Sequence, residues 1–204
     1  MYKICYKNDC KMFSIFIIVF SFLFAIIEIE VEGRDGWAKN LPTPHLTSNE
    51  KSLTFYHVYI FLFVFAAFNM IFFIRTQLLN WRNVFYIFSM TLMFFFLEDM
   101  YWFFANPFHS ILKQNEWHLY VGPIPLLYIV LPIAAFIVAA IAGYTKTFGR
   151  SFLVFFIGSI FIYLISIGYR KYYIHTHQEY IKTLHRTGSS VDIEITDENE
   201  NNTY

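Results

Sequence analysis

The sequence predicts an all-α protein, a polytopic transmembrane helix bundle of about five spans. Of its 204 residues, 57% are hydrophobic and only 15% are charged, whereas soluble domains carry about 25% charged residues. The hydrophobic residues form five long blocks, and a helix needs about 20 such residues to cross a bilayer. The net charge is +0 and no basic, base-stacking patch appears, which argues against a nucleic-acid partner. The lipid bilayer is therefore the first partner that the sequence implies.

We predict one transmembrane bundle over residues 1–187 and an acidic, disordered tail over residues 188–204, whose composition is too polar for a packed core. The predicted spans are residues 12–31, 55–74, 84–104, 120–142 and 152–169, and the aromatic, basic segment 170–187 is expected to lie along the membrane surface. The first span follows a basic lead, which also fits a cleaved signal peptide. We favour a retained anchor because no small-x-small cleavage motif follows it.

Prolines and small residues refine the predicted helices. Asn106 and Pro107 should end the third span, because proline cannot continue a helix hydrogen-bond ladder. Pro132 should kink the fourth span and free a backbone carbonyl. Alanine and glycine recur between residues 134 and 143, which favours a close contact with another helix.

Glu98 and Asp99 are adjacent acids inside the third span, which carries no other charge between residues 84 and 104. Glu98 precedes Phe104 by six residues, which places it about 9 Å inside the apolar run. A carboxylate at that depth costs on the order of a few kcal/mol unless it is protonated, paired or hydrated. Because consecutive helical residues point about 100° apart, we do not expect both acids to share one partner. At least one should face the protein interior.

Alternation of five spans collects polar residues at one membrane face. That face receives loop 28–54, loop 105–119 and the C-terminal tail, and with them all seven histidines and every acidic residue except Asp9. The numbers of Lys and Arg residues are nearly equal at the two faces, but these residues are more densely spaced at the opposite face, which carries the N-terminus. We therefore expect a plasma or inner membrane location with the N-terminus cytoplasmic and the C-terminus outside.

Carboxylates and imidazoles at this face are a ligand set for zinc, iron or manganese. Glu98 and Asp99 are the candidates for a catalytic or proton-relay role, and a divalent metal is the candidate cofactor. The candidate metal ligands are Glu28, Glu32, Asp35, His57, His109 and His118. Their spacing is not diagnostic, because the sequence has no HExxH motif and no ExxH pair on one helix. Ordinary solvated loop residues are the alternative interpretation.

Two segments carry a family resemblance. Residues 32–43 (EGRDGWAKNLPT) and 97–107 (LEDMYWFFANP) resemble small bacterial integral membrane proteins with E-G-x-x-G-W-A-x-N-L-P and E-D-x-x-W-F-x-x-N-P stretches. The resemblance implies a similar layout along the chain and suggests that the two segments belong to one site. It brings no activity, substrate or catalytic residue.

Three function classes remain open from the sequence, and whether the chain is an enzyme stays open with them. The first is a membrane-embedded site for a metal or a polar headgroup, centred on Glu98 and Asp99. The second is a non-catalytic interaction or assembly subunit, in a homo-oligomer or with another membrane protein, whose acid pair stabilises helix packing. The third is a small proton-coupled transporter.

Overall fold

The computed structural model describes residues 7–32, 55–76, 80–109, 120–121 and 124–178. These residues contain five α-helices and one short antiparallel hairpin, so the prediction of an all-α bundle is confirmed. The elements in chain order are α1 (Lys7–Glu32), α2 (Phe55–Thr76), α3 (Trp81–Ala105), β1 (Tyr120–Val121), β2 (Ile124–Pro125), α4 (Leu127–Ile141) and α5 (Thr145–Thr176).

Three helices are long and apolar enough to cross a membrane, namely α1 over Lys11–Val31, α3 and α5. They make the chain a membrane protein. The apolar parts of α2 and α4 are shorter, over Phe55–Ile71 and Leu127–Ile141. The 15 residues of α4 rise only about 22 Å, less than the roughly 30 Å hydrocarbon core. Five crossings therefore stay a prediction as far as α2 and α4 are concerned.

Helix α3 lies at the centre and packs against the four other helices. Its Met90, Met93 and Phe94 are fully buried. Side-chain hydrogen bonds join α3 to its neighbours. In the hydrocarbon core of a bilayer no water is available as an alternative hydrogen-bond partner. Ser21 Oγ of α1 donates to Phe94 O at 3.2 Å, Ser89 Oγ donates to Ala135 O of α4 at 2.7 Å, and Tyr101 OH lies 2.9 Å from Ser159 Oγ of α5.

Small residues set the contact between α3 and α4, as the sequence predicts. Ala135 and Ala139 are fully buried and lie one turn apart on the same face. The hydrogen bond from Ser89 to the backbone of Ala135 is available only because the two helices approach closely there. Helix α4 continues through Pro132, whose missing N–H leaves one backbone carbonyl without its usual helical donor.

The helix in the predicted fourth span begins later than residue 120. Tyr120 pairs with Pro125 and Val121 pairs with Ile124 in the hairpin, and the helix begins only at Leu127. Prolines at 123 and 125 lack the backbone N–H that an earlier helix would need. The hairpin shortens the apolar helix that follows it.

Helix α5 is longer than the predicted fifth span, residues 152–169, which lies wholly within it. Helix α5 begins at Thr145, after a turn in which Gly143 adopts a φ of 81°. It then continues without interruption through residues 170–176, which the sequence assigns to a separate interfacial segment. The third helix ends as predicted, with Asn106 as its C-cap. Residues 179–187 and the acidic tail 188–204 lie outside the described residues.

Candidate functional site

Two helices bring carboxyl groups together at one end of the bundle, and a third helix adds a tyrosine hydroxyl group. The carboxyl group of Glu28 in α1 forms a side-chain hydrogen bond with that of Glu98 in α3. Tyr56 in the first turn of α2 donates a long hydrogen bond of 3.5 Å from its hydroxyl group to Glu28 Oε1. Asp99 lies close enough to Glu28 for electrostatic repulsion. We call Glu28, Glu98 and Asp99 the acid cluster.

The acid cluster lies within the apolar length of the spans. Glu28 precedes Val31, the end of the apolar part of α1, by three residues, or about 4.5 Å. Glu98 precedes the last residue of α3, Ala105, by seven residues, or about 10 Å. Only 7% of the surface of Glu98 is exposed. Both acids therefore point into the protein. There, protein partners can offset the free-energy cost of burying a charged group in a bilayer.

The chemistry of the Glu28–Glu98 contact requires a proton. Two ionised carboxylates are acceptors only, so neither can donate a hydrogen bond to the other. A hydrogen bond between them forms when one carries a proton that the other accepts. Asp99 lies near Glu28 as well, so three carboxyl groups occupy this part of the bundle. The contact between Glu28 and Glu98 is one that a shared proton would stabilise.

Glu28 forms its hydrogen bond with Glu98, whereas its interaction with Asp99 is electrostatic repulsion. The two α3 side chains point about 100° apart, and Glu28 reaches Glu98 from a different helix that packs against α3. That the two adjacent acids do not share one partner stays a prediction.

A second polar group forms at the same end, between α1 and α5. Tyr169 donates from its hydroxyl group to Glu30 Oε1 at 2.8 Å. His177 Nε2 lies 3.7 Å from Glu30 Oε2, and the ring of His177 stacks on Tyr173 with centroids 4.1 Å apart. Tyr169 and Tyr173 lie in α5 and His177 is its C-cap, and their four-residue spacing places all three along one stripe. The contacts of Tyr169 and His177 with Glu30 hold this end of α5 against α1.

Arg170 of α5 caps the C-terminal end of α3. Its Nη2 donates to Phe103 O at 2.6 Å and to His109 O at 3.3 Å. The last carbonyl groups of a helix lack intrahelical donors and carry the negative end of the helix dipole, so a cation stabilises them. The ring of His109 stacks on Trp102, with centroids 5.3 Å apart.

The metal prediction finds no support in this geometry. Within residues 7–32, 55–76, 80–109, 120–121 and 124–178, no three His, Cys, Asp or Glu side chains are arranged to hold a metal ion. Of the predicted ligands, Glu28 bonds Glu98 and His109 stacks on Trp102. Glu32 ends α1 and His57 is exposed beside Tyr56. Asp35 and His118 lie outside the described residues.

Sequence reasoning missed the roles of Tyr169, Arg170 and His177. It placed Tyr169 at the end of the fifth span and assigned Arg170 and His177 to an interfacial segment, because charged and aromatic residues are typical of a membrane surface. The signal that could have found them is the four-residue spacing of Tyr169, Tyr173 and His177, which continues the helical period of the preceding span. The sequence of α5 alone does not indicate which residues of α1 and α3 they contact.

No protein-family model, no curated protein and no solved structure matches this chain.

Proposed function

We propose that this membrane protein binds and releases a proton at its acid cluster, as the core of a proton-relay or proton-coupled transport site at one membrane face. The observation that carries the proposal is the hydrogen bond between the carboxyl groups of Glu28 and Glu98. That bond exists in one protonation state and is lost in the other. Intramembrane ionisable residues that face the protein are typical of such sites.

Loss of the proton would change the contact between two helices. With Glu28, Glu98 and Asp99 all ionised, three negative charges would lie together in a poorly hydrated place, which is unfavourable. The hydrogen bond between α1 and α3 would also break. Proton release therefore favours separation of Glu28 from Glu98 or entry of water or a cation between them. This coupling between protonation and helix contact is what a proton-driven conformational step requires.

Infrared spectroscopy of the protonated carboxyl group tests the proposal directly. The purified protein is titrated with pH in lipid, and the carbonyl band of the buried carboxylic acid is followed. We expect a titrating band in the wild type and its loss in both Glu28→Gln and Glu98→Gln. Glu30→Gln is the matched control, because Glu30 lies on the same helix end but is exposed and bonded to Tyr169. The control should keep the band.

Glutamine also separates a proton site from a packing role. A glutamine amide can both donate and accept, so Glu98→Gln keeps a hydrogen bond to Glu28 and should keep the folded bundle. Glu98→Ala leaves Glu28 without this partner and should cost about 1–3 kcal/mol of stability. If Glu98→Gln dissociates or unfolds the protein while no carboxyl band titrates in the wild type, the assembly interpretation replaces this one.

Flux measurements decide whether the proton is coupled to transport. The protein is reconstituted into liposomes, and a pH gradient is imposed across the bilayer. A proton-coupled site predicts gradient-dependent flux that Glu98→Gln abolishes and Glu30→Gln retains. Elemental analysis of the same samples covers the metal alternative. Near-stoichiometric zinc, iron or manganese that disappears in Glu98→Gln/Asp99→Asn would overturn the proton assignment in favour of a metal site.

A further inference from the structure

An open apolar groove of about 290 Å³ lies between α3 and α5. Its walls include Met93, Met100 and Phe104 from α3, and Phe156, Ser159 and Ile160 from α5. The hydroxyl group of Ser159 is already engaged by Tyr101 OH at 2.9 Å and Phe155 O at 2.8 Å. The groove therefore presents only hydrocarbon to an occupant. Both of its walls belong to helices that are long and apolar enough to span the membrane.

Beyond the groove, the same face of α5 carries a cation. Phe156, Ser159, Tyr163 and Arg170 recur at intervals of three, four and seven residues, so they form one stripe on the helix surface. Phe104 in the wall of the groove packs edge to face on Tyr163, with centroids 5.2 Å apart. Arg170 lies eleven residues beyond Ser159, about 16 Å further along the axis. It therefore lies at the membrane face where the acid cluster also lies.

Arg170 retains capacity to bind an anion. Its two hydrogen bonds go to the backbone carbonyls of Phe103 and His109, which carry no formal charge. Its Nε is buried and therefore closed to a ligand, but the contacts of Arg170 with the described residues do not neutralise its positive charge. A guanidinium group with an unpaired charge matches a phosphate, whose oxygens accept several charge-assisted hydrogen bonds.

We propose that the groove and Arg170 together bind a phospholipid of the surrounding bilayer, with an acyl chain in the groove and the phosphate on Arg170. A phospholipid joins a hydrocarbon chain to an anionic group in the order that Ile160, Tyr163 and Arg170 present along α5. A second copy of this chain would cover the groove with a helix but would supply no phosphate for Arg170. The site does not depend on protonation of the acid cluster.

Native mass spectrometry in dodecyl maltoside tests this site with a named probe. Dioleoylphosphatidylglycerol is titrated against the wild type and two pairs of variants. Arg170→Gln should weaken binding at least about tenfold, since it removes a charge-assisted hydrogen bond. Lys171→Gln makes the same charge change at the next, exposed residue and should leave binding unchanged. Dioleoylglycerol, which has no phosphate, should bind the wild type no better than phosphatidylglycerol binds Arg170→Gln.

A second pair tests the groove without touching the cation. Ile160→Trp fills the groove and should weaken phosphatidylglycerol binding, whereas Ile157→Trp replaces a comparably exposed isoleucine outside it and should not. This pair decides the matter if Arg170→Gln fails to fold. Equal binding by Ile160→Trp and Ile157→Trp, or equal binding of phosphatidylglycerol and dioleoylglycerol, would overturn the proposal. A lipid-free dimer disrupted by Ile160→Trp would overturn it too, in favour of a second copy as the occupant.

Discussion

Gly158 of α5 lies so close to Ile18 of α1 that a Cβ atom added to the glycine would overlap Cδ1 of the isoleucine. The absent side chain lets the two helices approach. The approach matters for the candidate sites, because α1 carries Glu28 and Glu30, while α5 carries Tyr169 and Arg170 and ends at its C-cap, His177. Contacts between small residues are a principal source of helix association in membranes, where lipid tails compete with apolar side chains.

We predict that Gly158→Val destabilises the bundle by about 1–3 kcal/mol, the usual cost of overpacking a close contact. Unfolding in mixed detergent micelles, followed by circular dichroism, measures the change. Gly168→Ala is the control, since nothing lies within 4 Å of a Cβ there. It should be neutral or stabilise the helix by about 0.5–1 kcal/mol. Equal stability of Gly158→Val and the wild type would show that α1 and α5 do not need this close contact.

Ser89 offers a test of the bond between α3 and α4. Its hydroxyl group donates to Ala135 O at 2.7 Å across the helix contact, and interhelical bonds of this kind are worth about 0.6 kcal/mol. Ser89→Ala should lose that amount of unfolding free energy. Ser166 is equally buried, but it bonds Ile162 O within its own helix, so Ser166→Ala should lose less. A larger loss for Ser166→Ala would contradict this ranking.

Asn80 sets the start of α3, the central helix. Its side chain accepts a hydrogen bond from the backbone N–H of Asn83 at 3.0 Å, which satisfies one of the free donors of the first turn. Asn80→Ala should cost about 1 kcal/mol, whereas Asn80→Ser keeps an N-cap acceptor and should cost little. Thermal unfolding in detergent compares the two variants. If alanine and serine were equivalent, the cap would not contribute to stability.

The sequence predicts correctly those features of the helices that depend on a few neighbouring residues. Asn106 and Pro107 end α3 because proline excludes a further turn, and the alanines of α4 are buried where small residues repeat. The start of α4 was missed because residues 120–126 are as apolar as a helix. Their pairing into a hairpin follows from turn and proline geometry that hydrophobicity does not report.

The candidate site was predictable only in part, for a different reason. The cost of burying Glu98 marks it in the sequence without any structure, and the predicted alternation of five spans would collect the acids at one face. The pairing of Glu28 with Glu98, and of Glu30 with Tyr169, depends on which faces of α1, α3 and α5 meet. That information lies in the packing of helices far apart in the sequence.

Tyr144, in the turn before α5, predicts a pH dependence of stability. Burial raises the pKa of its phenol above the ordinary value of 10.0, against the opposing effect of the Arg82 guanidinium. The protonated hydroxyl group donates to Asn83 Oδ1 at 3.2 Å, and a phenolate could not. The contribution of Tyr144 is therefore fully present below pH 10.0, the pKa assigned to the unfolded chain, and is lost as the pH rises through the higher folded-state pKa.

The difference in unfolding free energy between the wild type and Tyr144→Phe isolates this effect from the other tyrosines. At neutral pH the wild type should be more stable by about 1 kcal/mol, the usual worth of one hydrogen bond. The difference should shrink above pH 10.0, because the wild type then loses the donor that phenylalanine never had. Tyr172→Phe is the control, since Tyr172 is 62% exposed. A difference that stays constant with pH would show that the Tyr144 hydroxyl group does not link ionisation to folding.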